Sequence, residues 1–312
     1  MSDKLKRLDV LEEMFYRQLL VKGSEEERDY YWLSRGRQGE LEMLELLKKK
    51  LQGCARLYHD VQLDFNGHTQ VDILVIWDYF WWVIEVKNIA GVFEIRDNNC
   101  FIGSKSTRNN YIVRMRNRIR IIEELANAIN PKIKVEGSFI LINPQGELVA
   151  DQLPEFPILT VNQIDRHLDQ VIDHQNPCYH HEQTDKYHYY LNKFAKSYPE
   201  KIPVMDFSDW AKSRKGVRCP NCQEYCIEKT TNSVFCPKCK TKLLKRDLVF
   251  NVYKQLCLLN NDKEKIITTK NLYEFSGNLI STTIFRDNLS SKVKYLRKNI
   301  YSYFENLYCY KD

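Results

Sequence analysis

The chain has 312 residues, of which 43% are hydrophobic and 28% are charged, and its net charge is +6 at pH 7. This composition excludes a collagen, a coiled coil and a largely disordered chain, and the length suits one main domain with smaller ones. The N-terminus lacks the apolar core of a signal peptide, and the longest apolar stretch, residues 73–86, is interrupted by two acidic residues. We therefore expect a soluble cytoplasmic protein with no membrane segment.

The first predicted elements are helices. A charged helical segment is predicted over residues 1–30, and a second helix begins after residues 34–36 and runs to about residue 52. Glu40 precedes Leu44 by four residues and Leu47 by seven, so these side chains share one helix face. A carboxylate on an apolar face needs a partner because burying it unpaired is costly. Glu40 is therefore a candidate site residue, with a glutamate that reaches solvent as the alternative.

Three strand-like segments follow, at residues 55–63, 70–76 and 81–86, and the last two are rich in β-branched and aromatic residues. A short turn between the last two segments predicts an antiparallel pair in which Asp72 lies opposite Glu85. Two carboxylates directly opposed on one sheet face repel each other, and a bound cation would relieve that repulsion.

Lys87 lies two residues after Glu85, so strand alternation places both on the same face as Asp72. With Glu40, this face would collect three carboxylates and one ammonium group. Hard oxygen ligands favour Mg²⁺ or Mn²⁺, and this combination suits metal-assisted hydrolysis of phosphodiesters. The alternative is a half-exposed hairpin whose polar face carries charges without a chemical role.

These segments resemble a known family. Gly39-Glu40 on a helix, residues 71–75 (VDILV) on a strand, residues 84–88 (IEVKN) on the next strand and the nearby Gly91 are similar to the NERD (nuclease-related) domain of the PD-(D/E)xK nuclease superfamily. The resemblance covers roughly residues 30–160. It implies an α/β fold with a restriction-endonuclease-like core of order αβββαβ. It also implies accessory modules, among them topoisomerase-type zinc fingers.

The same resemblance implies roles for individual residues. Asp72 and Glu85 would be ligands of Mg²⁺ or Mn²⁺, Glu40 would complete the site, and Lys87 would place or activate the attacking water. The family usually has a Gln near the start of the helix after the third strand, where this chain has residues 110–117 (NYIVRMRN). We expect Arg114 or Arg116 to take its place and contact the phosphate, or to adapt the site for binding rather than cutting.

Residues 111–129 have helical spacing, and residues 135–142 and 156–161 are typical of buried strands, in the order that the core requires. Residues 166–210 are polar and carry five of the seven histidines. Because these histidines lack metal-binding spacing, a polar helical linker is the favoured interpretation, with a metal site formed by histidines and Cys178 as the alternative.

Four of the ten cysteines form two CxxC pairs, each with Pro after its first Cys: Cys219, Cys222, Cys236 and Cys239. A tetrahedral zinc ion takes four thiolates, and a CxxC turn supplies two from one side, so this spacing predicts a zinc ribbon over residues 211–246. Cys226 is the alternative ligand. The predicted nucleic-acid contacts around the ribbon are Lys240, Lys242, Lys245 and Arg246.

The positive charge is concentrated near the C-terminus. Residues 206–312 contain 20 Lys and Arg against 11 Asp and Glu, a net charge of +9, whereas residues 1–205 carry −3. This asymmetry favours a polyanionic partner for the C-terminal third. Residues 247–312 are predicted to form a helical domain, and residues 268–296 resemble a helix-turn-helix, with a small packed helical bundle as the alternative.

The sequence therefore predicts five segments: an N-terminal helical segment (1–30), a nuclease domain (31–165), a polar helical linker (166–210), a zinc module (211–246) and a helical C-terminal domain (247–312). The predicted function is an Mg²⁺-dependent nuclease that hydrolyses DNA, with RNA as a weaker candidate substrate. The alternative is a catalytically inactive nucleic-acid-binding or regulatory protein that retains the nuclease fold.

Overall fold

The structure, a computed structural model, describes residues 7–107, 110–175, 179–196, 201–203, 205, 211–260, 267–298 and 301–306. The chain divides into two compact units: a first unit of Leu33–Pro199 and a second unit that combines Ser2–Trp32 with Glu200–Asp312. The five segment boundaries predicted from the sequence stay a prediction. Among the helices that the structure describes, none is long and apolar enough to cross a membrane.

The first unit is built on a five-stranded sheet with the order β1-β2-β3-β7-β9. Strands β1, β2 and β3 are antiparallel neighbours, and β7 and β9 continue the sheet in parallel from β3. These strands are β1 (Arg56–Asp64), β2 (His68–Ile76), β3 (Phe80–Lys87), β7 (Lys134–Leu141) and β9 (Ile158–Thr160).

Helices cover both faces of this sheet. Leu44 and Leu47 of helix α2 (Glu25–Leu51) pack with Ile84 on one face, and residues of α4 (Val161–Gln175) join that cluster. Helix α3 (Tyr111–Ile129) and helix α5 (His181–Phe194) pack on the other face. Because β2 and β3 are buried on both faces, most of their residues are apolar and their sequences show little alternation with polar residues.

The order α2-β1-β2-β3-α3-β7 confirms the predicted αβββαβ core and α/β fold class. The sequence analysis missed a second sheet with the order β6-β5-β4-β8, of which β4, β5 and β6 lie between β3 and α3 in the chain and β8 follows β7. Its strands are β4 (Gly91–Arg96), β5 (Asn99–Ile102), β6 (Lys105–Ser106) and β8 (Gly146–Ala150). These strands are too short to give a clear alternation of apolar and polar residues.

One prediction about helices was wrong. Helix α2 begins at Glu25 rather than after residue 36, because Ser24 Oγ accepts the Glu27 backbone N–H and caps the helix there. The segment predicted as a linker contributes α4 and α5 to the first unit, where Leu168 and Tyr187 are buried. Its apolar residues are spaced for one helix face, although the segment is polar on average. Cys178 lies outside the described residues.

The second unit contains a small three-stranded sheet, four helices and a hairpin in its described residues. One apolar cluster joins α1 to the C-terminal helices through residues such as Leu11 and Leu248. The elements are α1 (Arg7–Tyr16), β10 (Ile227–Thr230), β11 (Ser233–Phe235), β12 (Lys242–Leu244), α6 (Lys245–Leu259), α7 (Thr269–Phe275), α8 (Thr282–Leu289), β13 (Tyr295–Lys298) and β14 (Tyr301–Phe304).

A buried charge network fixes α1 within this unit. Arg17 is fully buried, its Nε lies 2.8 Å from Glu13 Oε1, and its Nη1 donates to the Gly216 carbonyl at 2.9 Å. Arg218 donates to the second oxygen of Glu13. Such a network is satisfied only when both arginines and the glutamate are in place, so it holds α1 against the rest of this unit.

The C-terminal residues also differ from the prediction. The predicted helix-turn-helix extends to residue 296, but its second helix ends at Leu289, and residues 295–298 and 301–304 pair as β13 and β14. Ser290 is the C-cap residue, and its hydroxyl bonds to the Arg286 carbonyl, which competes with continuation of the helix. The tyrosines and phenylalanine that follow favour strands.

Candidate active site and cysteine cluster

The β2–β3 hairpin has the predicted register. Ile73 pairs with Ile84, so the next positions along the two strands are Asp72 and Glu85. The Val86 backbone N–H donates to Asp72 Oδ2 at 2.9 Å, which holds that carboxylate against β3. Asp72 and Glu85 are 7% and 3% exposed, so two acidic groups are buried side by side at the end of the hairpin ladder.

Lys87 lies between these carboxylates. Its Nζ is 2.6 Å from Glu85 Oε1 and 3.4 Å from Asp72 Oδ2, and it donates to the Val86 carbonyl at 2.9 Å. The side chain is 24% exposed, whereas the two carboxylates are buried. Lys87 therefore closes the outer side of the acidic pair and is reachable from solvent.

Glu40 comes from α2 and is bound by a residue that the sequence analysis missed. Its Oε2 lies 2.7 Å from His59 Nε2 on β1, and both side chains are partly exposed. The predicted buried face of the helix is confirmed, since Leu44 and Leu47 are buried below it. The charge of Glu40 contributes to raising the pKa of Asp72, so the two carboxylates act on each other electrostatically.

Gly39 sets the position of Glu40. A Cβ atom on Gly39 would lie 2.7 Å from Ile142 Cγ2 and 3.1 Å from Asn88 Cβ, which is too close for an ordinary contact. Asn88 follows β3 directly, and its Nδ2 donates to the Arg35 carbonyl of α2 at 3.0 Å. A larger residue at position 39 would push the helix away from the end of β3. The Gly39-Glu40 pair is therefore a packing requirement of the site.

Arg118 is the second residue that the sequence analysis missed. It is buried on α3 between Met115 and Ile122, and its Nη1 bonds to Glu85 Oε2. A charged residue on the apolar stripe of a helix is the same signal that identified Glu40. Both oxygens of Glu85 therefore have a cationic partner, Lys87 on one and Arg118 on the other.

The arginines predicted for this place do not reach the carboxylates. Arg114 is exposed on α3. Arg116 makes a two-pronged ion pair with Glu155, at 2.8 Å from Nε and 3.0 Å from Nη2. The helix periodicity explains the correction, because positions 115, 118 and 122 face the sheet whereas 114 and 116 do not.

The charges of the site shift the pKa values of its two carboxylates in opposite directions. Burial raises the pKa of Asp72 to about 7. The positive charge of Lys87 opposes this rise, and the negative charges of Glu85 and Glu40 add to it. Burial would also raise the pKa of Glu85, but Lys87 and Arg118 lower it to about 2. Glu85 is therefore the stabilised carboxylate and Asp72 the strained one.

This charge balance leaves room for a cation. Glu40, Asp72 and Glu85 carry three negative charges when ionised, and Lys87 and Arg118 supply two positive ones. Both protein contacts of Asp72 within the described residues use Oδ2, which leaves Oδ1 available to an ion. Carboxylate oxygens are the ligands that Mg²⁺ and Mn²⁺ prefer, so the donor types suit such an ion, although Glu40, Asp72 and Glu85 do not form a group of three as close as the four cysteines described below.

The four predicted cysteines lie together in the second unit. The Sγ atoms of Cys219, Cys222, Cys236 and Cys239 all lie within 4.8 Å of one another, with 3.5 Å between Cys219 and Cys239 and 3.4 Å between Cys222 and Cys236. Sulfur ligands about 2.3 Å from a tetrahedral ion would lie about 3.8 Å apart. Among the described residues, no other group of three or more Cys, His, Asp or Glu side chains is as close.

The backbone has the same conformation and the same hydrogen bond at both CxxC pairs. Gln223 N–H donates to the Cys219 carbonyl at 2.9 Å, and Lys240 N–H donates to the Cys236 carbonyl at 3.0 Å. Gln223 and Lys240 both have a positive φ, 61° and 60°. Each pair therefore sits in the same tight turn. The alternative ligand Cys226 is buried but is not part of the group of four.

The four basic residues predicted to contact nucleic acid around the cysteine module, here called the basic rim, are exposed in part. Lys240, Lys242 and Arg246 are exposed, as a phosphate contact requires. Lys245 differs from the prediction, because it is buried and its Nζ lies 2.6 Å from Glu228 Oε1. A lysine that neutralises a glutamate within its own module is not available to a phosphate. Its place as the first residue of α6, directly after β12, turns it inward.

Comparison with known proteins finds a family match within the first unit. Residues 35–142, which include Glu40, Asp72, Glu85 and Lys87, match the family of the nuclease-related domain (NERD). This match agrees with the resemblance found in the sequence. The chain is also similar to the small subunit of the heterodimeric restriction endonuclease R.BspD6I, with 18% sequence identity, a TM-score of 0.25 and coverage of 59% of this chain and 87% of that chain. No curated protein matches the chain.

Proposed function

We propose that the protein is a metal-dependent nuclease that hydrolyses phosphodiester bonds in DNA. The observation that carries this proposal is the contact between Asp72, Glu85 and Lys87 inside the nuclease-related domain. Buried carboxylates with a lysine between them are costly for stability, and they are retained where the charges serve a ligand or a reaction.

Asp72 and Glu85 would hold Mg²⁺ or Mn²⁺, with Glu40 completing the site. The bound ion would lower the pKa of a water molecule and neutralise charge that grows on the phosphate. Lys87 reaches solvent at the edge of the acidic pair, so its ammonium group would orient that water or stabilise the same charge. His59 holds Glu40 in place, and Arg118 orients the carboxylate of Glu85.

The second unit would hold the nucleic acid. The four cysteines fit one zinc ion in donor type and in spacing. The exposed Lys240, Lys242 and Arg246 would contact backbone phosphates, which gives binding without sequence preference.

One observation favours the alternative, a nucleic-acid-binding protein without activity. Arg118 and Lys87 already occupy both oxygens of Glu85, and a metal ion would have to share one of them. The two functions differ in one measurement. Purified protein incubated with supercoiled, linear and single-stranded DNA should cleave at least one of them with Mg²⁺ or Mn²⁺, and not with EDTA. DNA binding without cleavage under every metal condition would establish the alternative.

A second experiment tests the zinc ion. Protein purified without chelator should contain about one zinc per chain, and Cys236→Ser should lose it because three thiolates hold zinc poorly. Cys226→Ser is the matched control, since Cys226 is buried in the same module but lies outside the group of four. Metal analysis should find zinc in this control. Zinc retained by Cys236→Ser and lost by Cys226→Ser would show that the ligand set is different.

A further inference from the structure

The C-terminal part of the second unit has the topology of a winged helix-turn-helix. Helices α6, α7 and α8 pack against one another around a shared apolar core, and the β13–β14 hairpin follows α8. Ile267, just before α7, pairs with Phe304 at the end of β14, so a short strand, two helices and the hairpin close into one module. The Phe304 N–H donates to the Ile267 carbonyl at 2.9 Å.

The connection between α7 and α8 is a defined turn. Gly277 and Asn278 both have a positive φ, 65° and 63°, which reverses the chain after α7. Ser281 caps α8 by accepting the Ile284 N–H on its hydroxyl. Ile280 is fully buried between the two helices. The turn therefore fixes α8 relative to α7, as in helix-turn-helix modules.

Helix α8 packs by one side and presents the other to solvent. Phe285 and Leu289 are fully buried, one helical turn apart, and hold the helix in the module. Its exposed residues are Thr282, Thr283, Arg286 and Asp287. These are residue types that bond to base edges, and Thr and Arg also bond to phosphates.

Exposed charge accompanies this face. Lys292 and Lys294 are exposed between α8 and the hairpin, and the chain from residue 206 onward carries a net charge of +9. Asp287 is the one acidic residue on α8, and its Oδ1 lies 3.3 Å from Arg286 Nε. A carboxylate beside an arginine is compatible with base reading, because Asp accepts from the amino group of cytosine.

Geometry favours duplex DNA over RNA as the occupant. A helix with side chains is about 10–12 Å wide, and the major groove of B-form DNA is about 12 Å wide. The major groove of duplex RNA is deep and narrow, so a helix face cannot read it. The hairpin that follows α8 would then lie along the adjacent backbone.

We propose that α8 enters the major groove of duplex DNA and that Thr283 and Arg286 read base edges there. The second unit would then select a DNA sequence, whereas the basic rim of the cysteine module contributes affinity without selecting. This proposal deepens the proposed nuclease function by naming its substrate as duplex DNA of a preferred sequence. It rests on that function only for the cleavage of this DNA.

The test is selection of binding sites from a random duplex DNA library by the full chain, without added Mg²⁺. The wild-type protein should enrich one sequence. Arg286→Ala should lose about 10-fold in discrimination at one or two base pairs of that sequence. Arg286→Lys keeps the charge but loses the two-pronged donor, so it should lose the same discrimination while keeping the salt dependence of binding. Thr283→Ala should relax a neighbouring position.

Lys242→Ala is the matched control, because it removes an exposed cation of the same unit outside α8. It should weaken binding to all duplexes equally and leave the enriched sequence unchanged. No enriched duplex sequence, enrichment of RNA in a parallel library, or an unchanged preference in Arg286→Ala and Thr283→Ala would each overturn the proposal. Enrichment by a protein that cleaves no DNA would instead overturn the nuclease function and leave this inference standing.

Discussion

Glu85→Gln should lower Mg²⁺-dependent DNA cleavage by about 100-fold or more, because it removes one of the two carboxylates that would hold the ion. DNA binding should stay unchanged, since Glu85 is buried in the first unit against Lys87 and Arg118, whereas the proposed phosphate contacts belong to the second unit. The variant should also be less stable than the wild type, because Lys87 and Arg118 lose the carboxylate between them. Cleavage and binding should therefore be measured below the melting temperature of the variant.

Two further variants make this result specific. Glu147→Gln is the matched control, since Glu147 is an exposed glutamate on β8 of the same unit, and it should cleave as the wild type does. Lys87→Ala should lose most of the activity yet still gain thermal stability from Mg²⁺, because the ligands remain. Glu85→Gln should gain little from Mg²⁺. If Glu85→Gln responds to Mg²⁺ and cleaves DNA as the wild type does, the ion is held elsewhere.

The parts of the site that the sequence predicted are those fixed by local geometry. Strand alternation and a short turn were enough to place Asp72 beside Glu85, because the hairpin register follows from the turn. The spacing of Cys219 and Cys222 was likewise enough to predict that their thiols lie together, since a CxxC turn brings its own two cysteines close to each other.

The missed residues depend on packing between elements distant in the chain. His59 reaches Glu40 only because β1 and α2 pack at the same end of the sheet. Arg118 lies 33 residues from Glu85 and meets it across the interface of α3 with β3. Its position on an apolar helix stripe was visible in the sequence, but the stripe does not say which strand it faces. The family pattern pointed instead to Arg114 and Arg116.

The burial of charged residues was the least predictable property. The sequence near Lys245 is as basic as that near Lys240 and Lys242. Only Lys245 is buried, with its ammonium group against Glu228. A lysine side chain can extend to solvent or fold back on a carboxylate. Which of the two Lys245 does depends on the direction of the backbone where α6 begins. Counting basic residues therefore predicted three exposed cations, Lys240, Lys242 and Arg246, and one that is buried, Lys245.

Asp72 should make the metal-free protein less stable as the pH rises from about 4 to about 7. The pKa of Asp72 is raised to about 7 in the folded protein from 3.8. Between these values the folded state holds a proton that the unfolded state has released, so raising the pH favours unfolding. A shift of this size corresponds to a loss on the order of 4 kcal/mol in the free energy of unfolding.

Glu85 has the opposite sign and a different pH window. Its pKa is lowered to about 2 from 4.5, so it contributes stability that is present above about pH 4.5 and is lost as the pH falls toward 2. The two carboxylates therefore act in separate ranges. Of these two carboxylates, Asp72 is the one that lowers the stability of the metal-free protein as the pH rises from about 4 to about 7.

Asp72→Asn isolates this effect, because Asn keeps an oxygen for the Val86 N–H but has no charge to bury. Without metal at pH 8, the variant should be more stable than the wild type by a few kcal/mol, on the order of the shift in Asp72, and the difference should vanish near pH 4. Urea unfolding at a series of pH values measures this directly. Asp165→Asn, at an exposed position on α4, should show no such difference.

Magnesium should reverse the pH dependence of the wild type. An ion bound to Asp72 displaces its proton, so Mg²⁺ should stabilise the wild-type protein more at pH 8 than at pH 5.5 and should stabilise Asp72→Asn at neither. The same variant should lose cleavage. If the wild type and Asp72→Asn lose stability in parallel between pH 4 and pH 8, the strained carboxylate is not Asp72. If Mg²⁺ stabilises both equally, the ion does not depend on this carboxylate, and the proposed site is wrong.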